Sequence, residues 1–108
     1  MELVVEVVAH GAERPPPGSP VRVQLRDTSL ADAPARIVAE RVGAVRDGSG
    51  AVLETLRIDC DAIADGLTLW AHVDVDRDGA VSAGDYLTTV SYPVSARTAR
   101  QALVVRRV

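Results

Sequence analysis

Apolar and polar positions alternate along most of this chain. Leu3, Val5 and Val7 share one face of residues 2–9, with Glu2 and Glu6 on the other. Val21, Val23 and Leu25 alternate with Arg22, Gln24 and Arg26. The cleanest run is 67–75, where Leu67, Leu69, Ala71, Val73 and Val75 oppose Thr68, Trp70, His72 and Asp74. Residues 51–58, 86–94 and 100–108 also read as strands, and 35–42 is ambiguous between a strand and one short helix. Loops are marked by Pro15–Pro17 and Gly18, by the polar, Pro-terminated stretch Thr28–Pro34, and by the Arg46–Gly50 turn signal. Cys60–Gly66 has room for a single helical turn. No sustained helical period is present. The pattern predicts an all-β chain, a single-domain antiparallel β-sandwich of about seven strands over residues 1–108.

Composition agrees with strands and limits the core. Val and Ala dominate, Phe is absent, and Trp70, Tyr86 and Tyr92 are the only aromatics. β-Branched side chains lose little freedom on a pleated surface. Such a core is assembled from small pieces, with Trp70 the candidate large anchor. The net charge of −3 argues against a nucleic-acid partner, and the basic residues, all Arg, are scattered. No apolar run is long enough to span a membrane as a helix. Met1 is followed directly by strand-like sequence without a basic leader region. The expectation is a cytoplasmic chain as written, or one of the cell envelope or exterior if a leader has been removed. Cys60 is alone, and Asp59 and Asp61 beside it disfavour a thiolate, so it reads as structural. His10 and His72 have no motif partner, and the Asp59/Asp61 pair reads as surface acids. An enzyme is not expected.

One segment carries specific chemistry. Asp74–Asp85, DVDRDGAVSAGD, has the spacing of a twelve-residue calcium loop. Asp74, Asp76 and Asp78 occupy positions 1, 3 and 5, and Gly79 occupies position 6, where the chain turns sharply. Ala80 offers its carbonyl at position 7, Ser82 stands at position 9, and Asp85 closes the loop at position 12. Val81 at position 8 is the apolar anchor toward the core. An EF-hand has the longer Glu at position 12; the short Asp85, a trait shared with dockerin-type loops, implies weaker binding. Both flanks alternate as strands, so the loop is expected on a β-hairpin rather than between helices. The predicted ion is Ca2+, and His72 reads as a surface cross-strand neighbour. Saturation at a hundred times the dissociation constant adds about 2.7 kcal/mol of stability.

Residues 21–40, VRVQLRDTSLADAPARIVAE, resemble the small lipoprotein family that includes YbaY and the type III secretion pilot protein YscW. The matching elements are the alternating strand Val21–Leu25, the Arg26–Ser29 element, the Ala31–Ala35 loop and the apolar strand Ile37–Ala39. The resemblance implies a small β-sandwich and no catalytic residues. Its pilot member implies a chaperone-like module that binds a protein partner of the cell envelope at a strand edge or groove. The lipid-bearing Cys usual near a leader is missing here, and the acidic loop is not a general trait of the family. Two readings follow: a non-enzymatic sandwich stabilised by calcium, and a pilot-like, partner-binding module.

Overall fold

The computed structural model describes residues 2–11, 13–28, 36–48, 50–59, 66–95 and 97–108. Its elements are β1 (Glu2–Ala9), β2 (Pro20–Asp27), β3 (Arg36–Ala44), β4 (Val52–Asp59), β5 (Leu67–Val73), β6 (Tyr86–Thr88), β7 (Tyr92–Val94) and β8 (Arg100–Arg107). There is no helix among the described residues. The ambiguity over 35–42 resolves, from Arg36 onward, as the strand β3. The helical turn expected within 60–66 and most of the 28–34 loop lie outside the described residues, as does Cys60.

All eight strands belong to one sheet, ordered β3-β2-β5-β6-β8-β1-β4, with β7 pairing β5 beyond β6. A sheet with one apolar face must bury that face, and this one does so by rolling up. The two end strands, β3 and β4, are consecutive in the chain and come together where they join. Arg46 N donates to Leu53 O (2.9 Å), and Ala44 N donates to Glu54 Oε2 (3.3 Å). No backbone ladder joins β3 to β4 among the described residues, so the barrel is nearly closed, with one seam. The all-β, single-domain expectation holds; the two layers of the expected sandwich are continuous through the rolled sheet.

Three details differ from the sequence reading. The first is pairing: the ladders are antiparallel except between β1 and β8, which run parallel from Val4↔Arg100 to Ala9↔Val105. Alternation decides which face is buried but does not name a strand's neighbour. The second is the run 86–94, which breaks into β6 and β7 around exposed Thr89, Val90 and Ser91. The third is Trp70. The core consists of alternate residues, including Leu3, Val5, Val7, Val21, Val23, Leu25, Leu69, Val73, Leu103 and Val105. Trp70 occupies the opposite parity on β5, so it stands on the outer face, half-buried between arginines. The buried aromatic of the core is Tyr86.

Candidate functional site

The acidic segment connects β5 to β6, whose ladder closes at Val73↔Tyr86. It is therefore a loop on a β-hairpin. Three of its residues adopt left-handed backbone, Arg77 (φ 59°), Gly79 (φ 79°) and Gly84 (φ 96°). Glycine does this at little cost, whereas a non-glycine residue is strained there by about 1–2 kcal/mol. Asp74 Oδ2 accepts the Gly79 amide (2.8 Å), and Asp78 Oδ1 accepts the Ala80 amide (2.9 Å). Ser82 Oγ donates to Asp76 Oδ2 (2.7 Å). The expected ligands Asp74, Asp76, Asp78 and Asp85 are brought together: one oxygen from each lies within 4.8 Å of the other three. Val81 departs from expectation, being 48% exposed rather than anchored in the core.

Asp85 braces the hairpin. It is 1% exposed. Its Oδ1 accepts Val75 N (2.9 Å); its Oδ2 accepts Ser82 N (3.1 Å) and His72 Nε2 (2.8 Å). Burial pushes the Asp85 carboxyl upward, but the bonds from His72, Ser82 and Val75 outweigh it, with Asp76 opposing them. The net effect holds Asp85 below the usual carboxylate range. Asp76 is also held low, first by the Ser82 hydroxyl.

His72 corrects the sequence reading. It is not a surface residue but is 1% exposed, beneath the base of the loop. Arg22 Nη2 lies 3.2 Å from its Nδ1. A guanidinium only donates, so Nδ1 must accept and Nε2 must carry the proton given to Asp85. The partners thus define a neutral tautomer, with both ring nitrogens engaged. The sequence contained one signal for this chain of contacts: Arg22 and His72 both belong to the even, outward parity, and the β2–β5 register sets them opposite each other.

The outer face of β3, β2 and β5 is organised around Trp70. The Arg26 guanidinium lies 4.0 Å from the ring centroid and that of Arg22 lies 5.4 Å away. Such stacking is favourable because the ring face is negative. Arg26 donates to Gln24, and Gln24 donates to Glu40. On β3 beside them, Ile37, Val38 and Val42 are exposed, Val42 at 63%. A hollow of about 260 Å³ opens here, lined by Pro20, Arg22, Glu40, Val42, His72 and Asp74. Arg22 Nε is buried without a hydrogen-bond partner among the described residues. Sequence reading missed this face because β3 lacks a clean alternation.

No protein-family model and no curated protein matches the sequence. Among solved structures, an alternative pilotin from the type II secretion system of Vibrio cholerae superposes with a TM-score of 0.74 at 23% identity, over 100% of this chain and 96% of that one. The chain has that pilotin's fold. At this identity the pilotin likeness shows architecture alone. It accords with the pilot-like fold expected from residues 21–40, of which Val21–Leu25 lie in β2 and Ile37–Ala39 in β3. The Ala31–Ala35 loop lies outside the described residues.

Proposed function

We propose that this chain is a non-enzymatic, partner-binding module of the pilot type, related to the YbaY/YscW lipoproteins, which holds a segment of a cell-envelope protein. The observation that carries the reading is the end-to-end likeness to a secretion-system pilotin, with almost nothing left over in either chain. The outer face gives that role a location. Trp and Arg dominate the energetics of protein interfaces, and here Trp70 lies between Arg22 and Arg26. Exposed Ile37, Val38 and Val42 adjoin it, and the β3 edge facing the seam has no ladder partner among the described residues. A partner's extended segment can pair with such an edge.

The test is retention of envelope proteins on the immobilised chain, with captured proteins identified and then rebound in purified form. The wild type is expected to retain a secretin-like or outer-membrane component, and an I37E/V42E variant with an unchanged melt is expected to lose it. No such component on the wild type refutes the function; equal retention by the variant refutes the location.

A further inference from the structure

We propose that the tip of the β5–β6 hairpin is a calcium site, with the unpaired Oδ1 of Asp74 as its innermost ligand. Asp74 is only 8% exposed, and its Oδ1 is buried with no hydrogen-bond partner among the described residues. A buried carboxylate oxygen without a partner is costly, on the order of 1–3 kcal/mol or more for a charged group. The other oxygen of the same carboxylate accepts the Gly79 amide within the loop, which fixes Asp74 at the head of the acidic cluster. Oxygens of Asp76, Asp78 and Asp85 lie within 4.8 Å of Asp74's ligand atom and of one another. A calcium ion with ligands at about 2.3–2.6 Å fits such a cluster.

The charges inside the loop are not balanced from within. Its one cation, Arg77, forms no ion pair among the described residues and donates instead to the Gly18 carbonyl (3.3 Å). Four carboxylates therefore meet without a counter-charge. The chemistry of the donors selects the ion. Zinc prefers nitrogen and sulfur donors, and His72 offers no free lone pair: Nδ1 accepts from Arg22 and Nε2 donates to Asp85. Magnesium keeps most of its waters and takes one or two carboxylates, not four. Asp85 closes the site through one oxygen. Its Oδ2 already accepts from His72 and Ser82, whereas Oδ1 accepts only the Val75 amide and keeps a lone pair. The Ala80 carbonyl and Ser82 stand at loop positions 7 and 9 to complete the shell. A single oxygen at position 12, in place of the usual bidentate Glu, sets the affinity in the weak class of extracellular calcium modules, about 10⁻⁴–10⁻³ M.

The experiment is calcium titration by calorimetry, with thermal melts in calcium, in magnesium and in chelator. The wild type is expected to bind one calcium and to melt higher in calcium than in chelator, with a clearly smaller response to magnesium. Asp74→Asn preserves shape but removes the anionic charge and is expected to abolish binding. Asp76→Ala, at an exposed position, is expected to weaken binding more than tenfold while melting like the wild type in chelator, which keeps the test valid if the first variant folds poorly. The proposal is overturned by no heat and no melting shift at about 5 mM calcium, well above the weak class. It is also overturned by equal responses to calcium and magnesium, or by an undiminished calcium response in Asp76→Ala.

Discussion

Replacing Asp85 with Asn changes one atom of the hairpin brace and tests whether its charge matters. Asp85 accepts three short bonds, from His72 Nε2, Val75 N and Ser82 N, and a longer one from Ser82 Oγ (3.4 Å); asparagine cannot accept them all. With its oxygen where Oδ2 stood, the amide still accepts from His72 and Ser82, but its NH₂ then faces the Val75 amide. With the oxygen where Oδ1 stood, the NH₂ faces Ser82 N–H and His72 Nε2–H. His72 could accommodate that only by moving its proton to Nδ1, against the Arg22 guanidinium. The better orientation leaves one backbone donor unpaired, at about 1–3 kcal/mol, and weakens two charge-assisted bonds, at about 1 kcal/mol each. The expected loss is about 3–5 kcal/mol, a large fraction of the 5–15 kcal/mol typical of a domain. For a chain of this size that is a fall in Tm of roughly 10–25 °C. Urea unfolding and thermal melts with chelator present measure it free of any ion. Asp76→Asn, altering an exposed acid of the same loop, is the control and is expected to stay within about 0.5 kcal/mol. A loss below about 0.5 kcal/mol for Asp85→Asn would refute the argument that this carboxylate braces the hairpin.

Acid should act through the same group. The folded-state pKa of Asp85 is depressed, so its contribution is complete above the unfolded carboxylate value of about 3.9 and is lost as pH falls through the folded value. In calcium-free buffer, stability is expected to be level above about pH 5 and to drop below about pH 4, with a shallower drop in Asp85→Asn; equal slopes would contradict this. Gly43→Ala should cost about 1–3 kcal/mol. Its new Cβ would meet Glu54 Oε2 at 2.7 Å and Leu56 Cδ2 at 3.0 Å, and Glu54 is held by Ala44 N, Thr55 N and Arg46. In a Glu54→Ala background the cost should fall by about half, measured as non-additivity in a double-mutant cycle. Leu103→Ala empties a fully buried position on β8 and should cost about 2–5 kcal/mol by urea unfolding.

Strand positions were legible because a period of two leaves a direct trace in Val, Leu and Ile: β1, β2 and the start of β5 fall within a residue or so of the expected bounds. Sheet order was not, since β1 hydrogen-bonds to β4 and β8, neither of which is its sequence neighbour. The loop was legible because its spacing is local. Its support was not, because the Arg22–His72–Asp85 line spans residues far apart in sequence and depends on β2–β5 register. Trp70 shows the limit of size as a guide. A large aromatic suggested an anchor, but parity placed it outside, where two arginines cover it.

The parallel pairing of β1 with β8 makes the last strand a keystone. Val4 meets Arg100 across nearly the whole length of the chain, and β8 also carries the ladder to β6. Until residues 100–107 emerge from the ribosome, β1 and β6 both remain raw edges, and the places of Leu103 and Val105 in the interior stay vacant. A domain built this way cannot close before β8 has been made, because closing so long a loop comes before the contacts that repay it. The nascent chain therefore keeps two open sheet edges until β8 is available to join them.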